Sequence, residues 1–291
     1  MLWGRLSAKN SKNMSLVKSA LLPHSPLLIP EIGRANYDFL GQTLAAYRKI
    51  QEELADLEPE TIIIITPHGL SGNDFNLNAA PEMEINLQDF GFIPPKTIFS
   101  GDLLLADQIK NQLRGRFPVH LSSELVLDYG SAIPAYLLQS AGRNFKLVTI
   151  TPPEGANIEA CYQFGQALKD ILNASPKKIA VIASGDLSHR LKKKSPGGYS
   201  PKGAKFDNKL IEYLNDLETA ATNILKMDHK LITEAGECGL KPIMILLGII
   251  AGAGLEAKTL AYQTDFGVGY LSLEFKESNK INNSYDDGNG E

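Results

Sequence analysis

Three of the five histidines in this 291-residue chain follow apolar, strand-like stretches. His24 stands in Pro23-His24-Ser25-Pro26 after LVKSALL (16–22), and His68 in Thr66-Pro67-His68-Gly69 after a run of isoleucines. His189 closes Ser184-Gly185-Asp186-Leu187-Ser188-His189 after KIAVIAS (178–184). Ligands of open α/β sheets bind beyond the carboxyl ends of the strands, so three independent placements at that edge converge on one cleft. Imidazole is the commonest neutral metal ligand near physiological pH. Two histidines and a carboxylate with open positions form the facial triad of non-haem iron(II) oxygenases, and the same donors hold zinc with a water. The prolines around His24 stiffen its turn, which fixes a ligand's direction before an ion arrives.

The stretch EAGECGLKPIMILLG (234–248) offers the carboxylate. Glu237 lies just ahead of a helix so apolar that it must be buried. A charge at its mouth needs a partner, and an ion would serve. Equally, a carboxylate there is favoured by the helix macrodipole.

The elements that must position these groups alternate along the chain. Strand-like stretches at 16–22, 61–67, 145–151 and 178–184 are β-branched or continuously apolar, as in strands buried on both faces. Amphipathic stretches at 35–56, 102–114, 131–141, 157–173, 204–217, 219–226 and 239–253 predict helices, and PEMEINLQDF (81–90) predicts a hairpin strand beside the sheet. This order predicts an α/β single domain over 16–275, with a mostly parallel or mixed central sheet and helices on both faces. Residues 1–15 and 276–291 are polar and read as a disordered N-terminal extension and a disordered tail.

Composition bounds the partners. The chain is 43% hydrophobic and 21% charged with a net charge of −4, and its basic residues are scattered, so no nucleic-acid footprint is expected. The basic cluster HRLKKKSPGG (189–198) reads as a solvated loop, as does Lys202. The most apolar run, 243–255, is too short to cross a bilayer, so no membrane partner is expected. Two cysteines, Cys161 and Cys238, are too few for a disulfide framework and point to a reducing, cytoplasmic setting. Cys161 reads as a packing residue, and His120 and His229 as surface residues.

Taken in order, PHSPLLIPEIG, TPHG, SGDLSH, GECGLKPIMILLG and FGVGYLSLEF resemble the class III extradiol ring-cleavage dioxygenase superfamily. That superfamily contains the LigB catalytic subunit, the Memo-like proteins and the B component of the Ammecr-Memo-radical-SAM system. The resemblance implies a LigB-like fold over the body of the chain. It places His24 and His68 as metal ligands, with Glu237 preferred as the third ligand and Cys238, where Memo-like relatives keep a cysteine, as the alternative. It assigns His189 as acid/base, with Asp186 orienting it. Ring-cleaving members present a histidine in an Asp-His-Gly stretch, where this chain has Asp128-Tyr129-Gly130, so Tyr129 takes that place as a hydrogen-bond donor. The implied cofactor is iron(II), with zinc or copper for a sulfur-containing ligand set. The implied partners are a small catecholic or aminophenolic substrate and O₂, in a protein that can form homo-oligomers.

Overall fold

The computed structural model describes residues 15–139 and 144–278. The expected extension over 1–15 lies outside them except for Ser15, and the expected tail except for residues 276–278. Among the described residues the strands are β1 (Leu16–Leu22), β2 (Thr61–Ile65), β3 (Phe75–Asn78), β4 (Met83–Ile85), β5 (Ile98–Phe99), β6 (Val119–Ser122), β7 (Val126–Leu127), β8 (Lys146–Thr151), β9 (Ile179–Ser184), β10 (Leu255–Gln263) and β11 (Tyr270–Glu277). The α-helices are α1 (Pro30–Gly33), α2 (Gly41–Leu57), α3 (Leu103–Leu113), α4 (Tyr129–Leu138), α5 (Ile158–Asn173), α6 (Pro201–Leu214), α7 (Ala220–Leu225), α8 (His229–Ala235) and α9 (Leu240–Ile250).

The central sheet is mixed and eight-stranded, in the order β10-β11-β1-β9-β2-β8-β3-β6. β1, β9, β2 and β8 run parallel, whereas β11 pairs antiparallel with β1 and β3 antiparallel with β8. Successive side chains of a strand point to opposite faces, and both faces here are apolar. Ile63, Ile65, Val181 and Ala183 join a core with α5 and α9, while Ile62, Ile64, Ala180 and Ile182 join another with α2 and α4. That double burial explains the unbroken isoleucine run.

Two expectations shift in detail. The stretch 35–56 divides into a 3-10 segment, Arg34–Leu40, and α2, since Gly41 and the polar residues before it do not sustain one continuous helix. PEMEINLQDF contributes only β4, which lies outside the main sheet, antiparallel to β5 and parallel to β7.

Helices α5 and α9 meet through glycines. A Cβ on Gly165 would stand 2.0 Å from the Ile245 carbonyl oxygen, and one on Gly248 would stand 2.2 Å from that of Tyr162. Backbone cannot yield as a side chain can. Gly165→Ala should therefore lower stability by about 1–3 kcal/mol, the usual cost of overpacking, read as a lower denaturation midpoint in urea. An unchanged midpoint would mean that the helices separate freely.

Candidate metal centre

The order β1-β9-β2 puts three strand ends side by side, with Leu22 opposite Ser184 and Ile65 opposite Ala183. His24 follows the first strand, His68 the second, and Asp186 and His189 the one between them. The His24 turn is held from behind, because the Tyr47 hydroxyl on α2 donates to the Pro23 carbonyl at 2.6 Å. His24 Nε2 and His68 Nε2 face each other at 3.2 Å.

The hydrogen bonds around His24 fix its tautomer. Ser184 Oγ lies 2.9 Å from His24 Nδ1, and its own proton goes to the Gly130 carbonyl at 2.5 Å. With that proton committed, Ser184 accepts from Nδ1–H, and Nε2 is left with a bare lone pair aimed at the cluster. Such an outer partner sets tautomer and ring orientation in metal-binding histidines. Gly130 also lets α4 approach closely: a Cβ there would lie 2.6 Å from Thr66 Oγ1 and 3.2 Å from His68 Cδ2. Asp128 caps α4 through Ser131 N at 3.1 Å and accepts from Thr66 Oγ1 at 2.6 Å, tying that helix to the His68 turn.

The third member of the cluster is Cys238. Its sulfur lies 3.5 Å from His24 Nε2, and one donor atom each from His24, His68 and Cys238 fall within 4.8 Å of one another. Bonds of about 2.0–2.1 Å to nitrogen and about 2.3 Å to sulfur, at tetrahedral angles, put two nitrogens roughly 3.3 Å apart and nitrogen and sulfur roughly 3.6 Å apart. Both distances at His24 therefore match donors sharing one ion, while the His68–Cys238 separation is held within 4.8 Å.

Glu237, preferred as the third ligand in the sequence reading, is not brought to the cluster. Its carboxylate turns the other way and accepts from Leu240 N at 2.6 Å, serving the free amides at the start of α9. Consecutive residues at a helix entrance point in different directions, so only one of this pair can face the imidazoles. Cys238 is held by backbone. Asp186 N donates to its sulfur at 3.4 Å, and Cys238 N and Gly239 N donate to the Asp186 carbonyl at 3.3 and 2.9 Å. Gly185 and Gly239 allow this approach, since a Cβ on Gly185 would stand 2.3 Å from the Gly239 Cα.

The other predicted residues surround the cluster. Tyr129, first residue of α4, places its hydroxyl 2.7 Å from His68 Nε2 and stacks on the His68 ring at 4.4 Å. His189 Nε2 lies 3.8 Å from the Cys238 sulfur and 4.0 Å from Asp186 Oδ2, with 30% of its side chain exposed. Asp186 Oδ1 accepts from His24 N at 3.1 Å, so its carboxylate supports the first turn while facing both histidines. Asp207 on α6 adds a support from outside the sequence motifs. It accepts from Ser188 N at 2.9 Å and from the Tyr262 hydroxyl at 2.7 Å, holding the loop that carries His189. An isolated aspartate on an amphipathic helix gives no local signal for that role, whereas Ser184 lay within the SGDLSH motif. Three bystanders fall as expected, with Cys161 buried in the core and His120 and His229 exposed, whereas Lys202, expected on a solvated loop, lies half-buried in the first turn of α6 and pairs with Glu234 at 3.2 Å.

Burial governs the electrostatics. It lowers His24 to about 3, helped by His189, and lowers His68 to about 4, with His24 adding to the effect. Both imidazoles are thus neutral at physiological pH, the form in which they could hold a metal ion. Burial raises the Cys238 thiol well above its ordinary value, reinforced by Asp186, and raises the Tyr129 phenol similarly. Asp186 is pushed up to about 6 by burial against the opposing effect of His189.

This architecture and its histidine–sulfur cluster define an α/β protein with a candidate metal site at the sheet's carboxyl edge. Residues 18–272 match the family described as the catalytic LigB subunit of aromatic ring-opening dioxygenase, and the chain belongs to that family. It is 32% identical over 271 residues to Protein CA_C1420 of Clostridium acetobutylicum, covering 88% of this chain and 57% of that protein. The chain thus spans a little over half the length of this relative. An uncharacterized protein of Escherichia coli K12, JW3007, shares the fold with a TM-score of 0.64 at 16% identity, over 88% of this chain and 98% of that one. Among the described residues no helix is long and apolar enough to cross a membrane.

Burial also raises Glu237 to about 7. A carboxyl whose folded value exceeds its unfolded value stabilises fully below the unfolded value, and that contribution is lost as pH rises through the folded one. In metal-free protein, the stability of Glu237→Gln relative to the unaltered chain should therefore improve between pH 4.5 and 8. Urea denaturation at both pH values measures it, and a pH-independent difference would contradict the assignment.

Proposed function

We propose that this chain is a LigB-family metalloprotein whose His24, His68 and Cys238 hold a soft, thiolate-preferring cation, zinc or copper(I), for redox or hydrolytic chemistry on a small aromatic compound. The observation that carries this reading is that sulfur, not carboxylate, completes the cluster, since thiolate with imidazole favours these ions over iron(II). When bound, the ion supplies Lewis acidity and, for copper, a one-electron couple. The chain's own residues do the rest. Tyr129 donates a hydrogen bond at the His68 side. His189, partly exposed beside Cys238 and Asp186, is placed to hold or pass a proton at Nε2. Asp186 orients the turn and the imidazole.

A second reading, extradiol cleavage of a catecholic or aminophenolic substrate with O₂ on iron(II), is favoured by the family itself and by Tyr129 and His189 flanking the cluster. Iron(II)-loaded protein prepared without oxygen and then mixed with catechols and O₂ separates the two. Oxygen uptake with a yellow product supports ring cleavage, and no uptake removes it.

The first reading has its own signature. A buried thiol with a raised pKa loses its proton only as a cation takes its place. Zinc titration in weak buffer at pH 7 should release about one proton more from the unaltered chain than from Cys238→Ser. Equal release from both would exclude Cys238 as a ligand. Ser184→Ala, which frees the His24 tautomer, should weaken zinc binding by about 10–100-fold in competition with a chelating dye.

A further inference from the structure

Beside His68 the sheet changes character. β3 and β8 pair Asn76 with Thr151 and Asn78 with Thr149, so four polar side chains share one face. Their neighbours Phe75, Leu77 and Ile150 go to the core. Over this polar floor lies a hollow of about 350 Å³ lined in part by His68, Leu70, Asn76, Glu124 and Val126. It adjoins another of about 250 Å³ that reaches His120 and shares Leu70 and Asn76 with the first.

The floor is incompletely satisfied. Asn78 is fully used, donating to the Glu124 carbonyl at 3.0 Å and accepting from Glu124 N at 2.9 Å. Asn76 is not: its amide donates to Ser122 Oγ at 3.0 Å, but its buried Oδ1 has no partner. Exchanging the amide's oxygen and nitrogen would leave the nitrogen unpaired instead. Thr151 Oγ1, on the same face, also has no partner. Buried polar atoms are normally paired, so such orphans ask for an explanation. The lip is apolar: Leu70 and Val126 line the first hollow yet are 47% and 45% exposed, and exposed Phe90 packs 5.5 Å from the Tyr129 ring. The ionisable groups lining the two hollows are Asp74, Glu124, Asp128, His68 and His120, with no lysine or arginine among the described lining residues.

An apolar lip takes an aromatic body. An acidic rim disfavours a carboxylate. An unpaired amide oxygen asks for a donor. We propose that this groove is the side-arm subsite of the histidine–cysteine centre, and that it selects aromatic diols with a neutral or cationic, hydrogen-bond-donating arm over those with an anionic one. Asn76 and Glu124 are its specificity-determining residues. The inference rests on the reading that His24, His68 and Cys238 hold the ion to which the diol binds.

The test uses the full chain loaded with zinc, which does not oxidise catechols, and isothermal titration at pH 7 with dopamine, 4-methylcatechol and 3,4-dihydroxybenzoate. Dopamine should bind at least about tenfold tighter than 3,4-dihydroxybenzoate, a preference worth one close charge interaction. Glu124→Gln, an exposed change, should reduce that ratio several-fold. Asn76→Leu should reduce dopamine's advantage over 4-methylcatechol several-fold, the acidic rim retaining the rest. If that variant does not fold, the near-isosteric Asn76→Asp should instead widen the preference for dopamine. Zinc stoichiometry is measured on every protein. Zinc bound with equal affinities for the three diols, or with no diol binding, overturns the subsite alone. No zinc bound by the unaltered chain overturns the metal reading and the subsite with it.

Discussion

The register of three parallel strands is the constraint on which everything else rests. β9 lies between β1 and β2, and its pairing with each sets where their carboxyl ends fall. A one-residue slip in a strand turns every side chain to the opposite face, and here both faces are filled with aliphatic groups that must interdigitate with helices. The hydrophobic cores therefore lock the register, and the register brings the turns bearing His24, Asp186 and His68 together. The chemistry at the edge is positioned first by packing far beneath it, and the contacts that Asp186 makes to the His24 turn and to Cys238 complete the placement.

Within that frame the cluster is electrically unusual. Two imidazoles, a thiol and a phenol converge, all kept neutral by burial, with Asp186 the nearby carboxylate. No lysine or arginine belongs to the cluster among the described residues. The imidazole lone pairs meet only weak neutral donors there, the Tyr129 hydroxyl at 2.7 Å from His68 and the Cys238 thiol at 3.5 Å from His24, which leaves an electron-rich pocket. A cation resolves it at once, by accepting the lone pairs and displacing the thiol proton. Water or a shared proton between the imidazoles would resolve it less completely.

Much of this was legible in the chain. The isoleucine run of β2 and the KIAVIAS stretch of β9 announced strands buried on both sides, and the histidines after them marked the edge. The choice between Glu237 and Cys238 was not legible, because adjacent residues at a helix entrance differ by the rotation of one step. Local capping chemistry decides it: the longer carboxylate reaches back to Leu240 N, leaving the shorter thiol to face the imidazoles. Supports that cross the fold were also hidden. Ser184 acts on His24 through a proton it sends to Gly130, and Asp207 steadies the His189 loop from α6. Such links join residues far apart in sequence, and no periodicity encodes them. The same limit applies to the short strands β4, β5 and β7, whose pairing depends on partners brought in by tertiary contacts.

The glycine seam between α5 and α9 has a bearing on how this protein would age under mutation. Cys238 stands at the entrance of α9, while Gly248 lies near its far end, about 15 Å away along the axis. Because the two helices touch backbone to backbone, any bulk added at the seam must displace α9 as a rigid rod. The displacement is delivered to the sulfur. Stability and the geometry of the cluster are thus mechanically geared to one another, and a lineage that loosens this seam would move the sulfur away from the two imidazoles before it lost the fold.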